Sequence, residues 1–167
     1  MKKIRKGVFE TNSSSVHSIC ITKNNKDLLK NAPKELYFNH GDYGWDKNTY
    51  HDMQNKANYL YQAICDICLY SVRDKYSYLN KISKILMKYD IMPIFSDKDV
   101  DEDGFDIGYV DHPYELIDWV ESLCRSERKL LRYLFSEESF VITGNDNSDH
   151  DVSIKVNYKH EEYYKGN

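Results

Sequence analysis

The chain of 167 residues has the length of one ordinary domain, which argues against a second independent one. Its 23 Lys and Arg residues against 27 Asp and Glu residues give a net charge of −4, which disfavours direct nucleic-acid binding through a strongly basic surface. A hydrophobic fraction of 41%, with 14% aromatic residues, supplies enough large side chains for a folded core and excludes an intrinsically disordered chain.

The first six residues, MKKIRK, include four basic residues, as at the start of a secretion signal, but residues 7–15 follow where an apolar stretch is required. No apolar run approaches the roughly 20 residues that cross a bilayer. We therefore expect a soluble cytoplasmic protein that does not enter a membrane. In that compartment its four cysteines are expected to be free thiols.

The N-terminal third predicts two strands. Residues 16–22 alternate between two faces with the period of a strand, and residues 35–39 form a second short apolar run. The polar stretch between them has room for a short helix at residues 27–30, and residues 40–44 predict a loop.

The middle of the chain predicts two helices. Residues 48–72 have a helical pattern, and between residues 59 and 72 only a narrow stripe is polar, so this helix is expected at the centre of the core. Residues 75–88 are amphipathic, with lysines on one side, so this helix is expected at the surface.

The C-terminal half predicts strands at both ends of a third helix. Residues 90–95 favour an edge strand because Pro93 cannot donate a ladder hydrogen bond. Pro113 suits the first turn of a helix, which residues 126–129 interrupt or re-cap before residues 130–135. Residues 140–143 and 152–158 predict a terminal hairpin. The expectation is a single α+β domain over residues 1–167, with a mostly antiparallel sheet, about three helices and a C-terminal β-hairpin.

A polar segment directly before the first strand is the first candidate ligand-binding site. Its hydroxyl, amide and imidazole groups can bind a phosphate or a carboxylate, and a histidine titrates near neutral pH. The residues concerned are Asn12, Ser13, Ser14, Ser15 and His17. An ordinary Ser/Asn turn followed by a packed histidine is the alternative interpretation.

Residues 5–19, RKGVFETNSSSVHSI, resemble the start of a loose group of small, largely uncharacterised proteins of bacteriophages and mobile elements. Members begin with a basic residue, then Gly-Val-Phe-Glu-Thr-Asn-Ser-Ser-Ser and a His-Ser pair. The resemblance covers about 15 of the 167 residues. It implies a phage or mobile-element origin, and hence the host cell cytoplasm, but no activity.

The loop at residues 144–151 is the second candidate, with Asn145, Asp146 and Asp149 as ligand-binding residues. Its carboxylates could also hold Mg²⁺ or Ca²⁺, although turns are made from the same residue types. If this loop faces the Ser-rich segment across the sheet, the two form one polar pocket.

Two further motifs are weak. Residues 99–104 resemble the first half of a calcium loop, but its twelfth position is Val110 where a bidentate Glu is required. Cys65 and Cys68 have metal or redox spacing but lie inside a helical pattern without a second ligand pair, so buried core thiols are expected. The 15 tyrosines are expected in packing or interfaces. No metal or cofactor is predicted.

These features favour an accessory protein of a bacteriophage or mobile element that acts by binding. It would inhibit a host or defence protein, in counter-defence or host takeover, or sequester a small nucleotide-like ligand. The alternative is a small hydrolase or transferase of phosphorylated substrates that uses Ser13, Ser14, Ser15, His17 and the loop at residues 146–151.

Overall fold

The computed structural model describes residues 15–44, 46–98, 107–145 and 161–166. These ranges form an α+β fold, as the order of predicted elements indicates. The strands are β1 (Ser15–Thr22), β2 (Glu35–Phe38), β3 (Asp42–Tyr43), β4 (Asn48–Tyr50), β5 (Met92–Phe95), β6 (Tyr109–Val110), β7 (Phe140–Asn145) and β8 (Glu161–Gly166). The helices are α1 (Met53–Leu69), α2 (Lys75–Met87), α3 (Ile117–Arg125) and α4 (Glu127–Phe135), and a 3₁₀ turn, Pro113–Leu116, precedes α3.

The main sheet has four strands in the order β4-β7-β1-β8, and every neighbouring pair is antiparallel. The predicted antiparallel sheet is thus confirmed. β1 pairs with β7 on one side and β8 on the other, and the side chains of its residues 17–22 are buried. Its Ile19 and Ile21 join the apolar core.

The predicted C-terminal hairpin is wrong. Both edges of β7 are already occupied, by β4 and by β1, so residues 140–143 cannot also pair with a following strand. The proposed second strand, residues 152–158, lies outside the described residues. The last described strand, β8, pairs with β1.

Two small parallel sheets complete the strand pairing: β2 with β5, and β3 with β6. The amides of Met92 and Ser96 donate to carbonyls at Lys34 and Phe38, at the two ends of β2. By alternation Pro93 faces away from β2, where a proline removes no ladder hydrogen bond. Among the described strands β5 pairs with β2 alone, so the predicted edge position is confirmed.

Both central helices are shorter than predicted: α1 covers residues 53–69 instead of 48–72, and α2 ends one residue before the predicted end at residue 88. α1 begins after Asp52, whose carboxylate accepts from the Asn55 amide at 2.8 Å, and residues 48–50 before it form β4. α2 begins after Asp74, which accepts from the Tyr76 amide at 3.0 Å. The short helix expected at residues 27–30 is instead a run of turns.

The expected third helix is two helices, so the predicted count was too low. Ser126 has an extended backbone, at φ −125° and ψ 101°, which ends α3 and starts α4. Its hydroxyl accepts from the Lys129 amide at 3.3 Å. The re-capping expected at residues 126–129 therefore produces a fourth helix in the described part of the chain.

The core is formed by side chains of β1, β2 and all four described helices. Tyr59 of α1 packs against Trp119 of α3, which makes an edge-on contact with Tyr133 of α4 at 5.3 Å between ring centroids. All three side chains are fully buried. Within the described ranges, no helix has both the length and the apolar character that crossing a membrane requires.

Candidate functional site

One described residue from the end of each polar segment lies in the main sheet. Ser15, at the start of β1, is the register partner of Asn145, at the end of β7. The polar residues on either side of this pair, Asn12, Ser13, Ser14, Asp146 and Asp149, lie outside the described residues, as does the calcium-like segment at residues 99–104. The backbone register thus places Ser15 and Asn145 opposite each other at one end of the β1–β7 pair.

His17 lies two residues further along β1, and its side chain belongs to the core. Only 1% of it is exposed, and its ring lies 5.9 Å from the ring of Tyr59. Burial lowers the pKa of His17 to about 4, although the charges of Asp111 and Glu115 act in the opposite direction. The imidazole is therefore neutral at pH 7 and shielded from solvent.

A cavity of about 280 Å³ lies beside the C-terminal half of α1. Gln62, Cys65, Asp66 and Leu69 line it because residues spaced three, four and seven apart share one face of a helix. His40, in the loop after β2, forms another part of the wall.

The polar groups of this cavity form a hydrogen-bonded chain. The Oε1 atom of Gln62 accepts from His40 Nδ1 at 2.8 Å and from the Gly41 amide at 3.3 Å. Its Nε2 atom donates to Asp66 at 2.9 Å, and Asp66 in turn accepts from the Val110 amide. This chain fixes the floor of the cavity and joins α1 to the loops at β3 and β6.

Cys65 and Cys68 both line the cavity, so they are half-buried wall residues rather than the fully buried core thiols that were expected. Burial raises the pKa of Cys68 to about 11, and the nearby Asp74 adds to this effect. Its thiol is therefore protonated at neutral pH and a poor nucleophile. Within the described residues, no group of three or more His, Cys, Asp or Glu side chains is placed to hold a metal ion.

An exposed set of apolar side chains borders the cavity, at the junction of α1 and α2. Val72 is 105% exposed and Tyr76 is 69% exposed. We call this set the apolar cluster: Leu69, Tyr70, Val72, Tyr76 and Tyr114. The hydroxyl of Tyr114 donates to the carbonyl of Tyr70 at 2.8 Å, which holds the 3₁₀ turn against the end of α1.

The apolar cluster was not expected from the sequence, because the first helix was predicted to continue to residue 72. A buried helical face was therefore assigned to residues that follow the helix. α1 ends at Leu69, and Asp74 starts α2 only five residues later. The available signal was Asp74, a favoured N-cap residue type that starts α2 at Lys75 and so requires the first helix to end several residues earlier.

A second, larger cleft of about 480 Å³ has Lys56 at its base. The ammonium group donates to the carbonyls of Ser136, at 2.6 Å, and Ser139, at 3.0 Å. Burial lowers the pKa of Lys56 to about 8, although Asp52 and Glu137 act in the opposite direction. Because Ser136 follows the last turn of α4, this lysine serves to satisfy carbonyls at a helix end.

No protein-family model, curated protein or solved structure matches this chain.

Proposed function

We propose that this chain is an accessory protein of a bacteriophage or mobile element that acts by binding a host or defence protein and inhibiting it. The apolar cluster is the observation that supports the proposal. Five large apolar or aromatic side chains stand exposed together, and such clusters mark protein contact sites. Tyrosine contributes large contact area to an interface at a low cost in side-chain entropy.

The geometry of His17 does not favour the hydrolase or transferase alternative. A general base must reach the group that it deprotonates, and His17 is shielded by the sheet and by α1. A pKa of about 4 also makes it a weak base at neutral pH. Packing of His17 in the core explains both properties without a catalytic role.

Sequestration of a small nucleotide-like ligand is the second candidate, and the cavity beside α1 supports it. Its volume of about 280 Å³ is close to the lower end of small-molecule sites, which is roughly 300 Å³. Arg73 and Lys75 line it with the Tyr76 ring, so cations for a phosphate and an aromatic face for a base are present. Saturable thermal stabilisation by a nucleoside phosphate, lost in Arg73→Ser, would support this candidate.

The test of the main proposal is affinity capture from a bacterial host lysate, with the purified chain as bait and mass spectrometry as the readout. Val72→Glu places a charge in the middle of the apolar cluster, and the fully exposed side chain makes unfolding an improbable consequence. The matched control is Thr49→Glu, which adds the same charge to an exposed position on β4.

We expect one host protein to be retained by the unmodified chain and by Thr49→Glu, and to be lost with Val72→Glu. Inhibition of that protein's activity by the unmodified chain would support the second part of the proposal, that binding inhibits the partner. Equal retention by all three baits would show that the apolar cluster is not the contact site, and retention of nothing by the unmodified chain would contradict the proposal.

A further inference from the structure

The charges of this chain are segregated, although its net charge is −4. Residues 73–88, which contain α2, carry five cations and one carboxylate, a net charge of +4. The rest of the chain therefore carries −8. An acidic molecule with one basic helix presents opposite potentials on different parts of its surface.

The cations of α2 lie on one exposed face. Lys81, Lys84 and Lys88 are spaced by three and four residues, which places them in a row along the helix. Arg125 of α3 lies beside this row, since it lines a cleft of about 210 Å³ together with Lys81 and Arg73. We call this set the basic surface: Arg73, Lys81, Lys84, Lys88 and Arg125.

Only part of this positive charge is compensated. Glu121 lies near the guanidinium groups of both Arg73 and Arg125, and Glu127 pairs with Lys88 at 2.6 Å. Lys81 and Lys84 make no ion pair with any residue that the structure describes. Asp74 lines the same cleft as Arg73, Lys81 and Arg125 and adds a third carboxylate. The five cations of the basic surface still exceed these three carboxylates by two charges, which leaves net positive charge on this face.

The basic surface continues into the apolar cluster. Arg73 directly follows Val72, and Tyr76 lies in the first turn of α2. The Lys75 ammonium group lies 5.8 Å from the centre of the Tyr76 ring, and that of Lys81 lies 5.6 Å from the centre of the Tyr78 ring. A partner that spans both surfaces would meet apolar groups at one end and cations at the other.

We propose that the basic surface and the apolar cluster together bind an acidic segment of a protein partner, whose carboxylates lie along Lys81 and Lys84 and whose apolar side chain contacts Val72. This inference rests on the proposed function, because it names the chemistry of the partner that the apolar cluster contacts. Charge complementarity along α2 sets the orientation of the segment and the rate at which it associates.

Two observations favour a protein segment over a nucleic acid. The apolar cluster includes Leu69 and Val72, whose aliphatic groups match apolar side chains of a peptide and have no counterpart along a phosphate backbone. The −8 charge on the rest of the molecule would also repel a long polyanion that extends beyond α2, whereas a short acidic segment contacts only the basic surface.

The test is fluorescence anisotropy with a fluorescein-labelled peptide in which Asp and Glu alternate with Leu and Phe. The charge variant is Lys81→Glu/Lys84→Glu, and the matched control is Lys23→Glu/Lys30→Glu, which changes the net charge equally at exposed positions outside the basic surface. Because all four lysines are exposed, each variant is expected to fold, and circular dichroism with a melting curve verifies this.

We expect the unmodified chain and the control to bind the peptide within about twofold of each other, and the charge variant to bind about tenfold more weakly. Rising salt should weaken binding to the unmodified chain. A peptide with Ser in place of Leu and Phe should bind the unmodified chain several-fold more weakly.

Equal binding by the charge variant and the control would overturn the inference, as would tighter binding of a single-stranded oligothymidine than of the peptide. Neither result would affect retention of a lysate protein through Val72, so the proposed function and this inference can fail separately. Retention of that lysate protein by Lys81→Glu/Lys84→Glu would also contradict the inference.

Discussion

His17 and Lys56 are both ionisable side chains that the fold buries almost completely, each at 1% exposure. Burial lowers both pKa values, to about 4 for His17 and about 8 for Lys56, because it disfavours the charged form of each group. The two side chains differ in their contacts. Lys56 donates hydrogen bonds to two backbone carbonyls, whereas His17 packs against the Tyr59 ring and is neutral at physiological pH.

The pKa of His17 makes the free energy of unfolding dependent on pH. Between pH 6.5 and about 4 the unfolded chain binds a proton at this residue and the folded chain does not, so stability is lost as the pH falls. The expected loss is roughly 3 kcal/mol across this window. Urea unfolding at pH 7 and pH 4.5 measures it.

The matched variant is His17→Gln, which keeps a polar side chain of similar size and removes the titration. It should be less stable than the unmodified chain at pH 7 and should lose much less stability on acidification. If the free energy of unfolding falls equally with decreasing pH in both proteins, groups other than His17 cause the acid sensitivity.

Gly108 occupies a backbone conformation that only glycine adopts readily, with φ at 77°. An added Cβ atom would lie 2.6 Å from the Gly41 carbonyl oxygen and 2.8 Å from Gln62 Oε1. We expect Gly108→Ala to destabilise the protein by roughly 2–4 kcal/mol, by backbone strain and by displacing the floor of the cavity. Thermal unfolding measures the change.

Gly144→Ala is the control for this substitution, because the nearest atom to its added Cβ lies at 3.9 Å and its φ is ordinary. It should cost less than about 1 kcal/mol. A small effect at Gly108 would show that the loop after β2 can move away from Gln62.

At the scale of elements, patterns longer than about one helical turn were predictable and shorter ones were not. The alternation of residues 16–22 predicted β1, and the amphipathic period of residues 75–88 predicted α2. β3, β4 and β6 have two or three residues, which is too few for any period to be recognised. The pairing of β7 depends on partners distant in sequence, so the predicted hairpin failed there.

Ser126 shows how one residue decides the number of helices. Its hydroxyl caps α4 while its extended backbone ends α3. We expect Ser126→Ala to lower stability by about 1 kcal/mol, which corresponds to roughly 2–4 °C in melting temperature for a chain of this size. Ser77→Ala, at an exposed position in α2, should change it by less than about 0.5 kcal/mol. Equal shifts in the two variants would mean that the cap contributes nothing.

At the scale of the whole molecule, the candidate site was only partly predictable. Ser15 and Asn145 are register partners, but the other polar residues of both segments, apart from the buried His17, lie outside the described residues, so the expected polar pocket stays a prediction. The apolar cluster was not foreseen, because sequence alone does not distinguish an exposed tyrosine from a packed one when both lie in apolar runs. The lysines on one side of α2 were expected, but the net charge of the whole chain, which averages α2 with the acidic remainder, did not indicate an excess of positive charge there.

The four cysteines are distributed over three elements, β1, α1 and α3, and none of them forms a disulfide. A reducing agent should therefore leave the melting temperature unchanged. Titration with an aromatic disulfide reagent should find four thiols after denaturation and slow reaction in the native state, since burial raises the pKa values of Cys68 and Cys124 to about 11. A lower melting temperature on reduction would reveal a bridge that contributes to stability.

The position of β1 at the centre of the main sheet has a consequence for biosynthesis. This strand is made first, yet its neighbours β7 and β8 lie near the other end of the chain: Cys20 meets Phe140, 120 residues later. At about 5–20 residues per second, a ribosome needs roughly 6–24 s to supply that partner. During this interval a nascent β1 has both edges unpaired, which is the state in which apolar strands associate with other chains. A chaperone that covers β1 during translation should therefore raise the yield of folded protein, and slower codons between residues 23 and 140 should lower it.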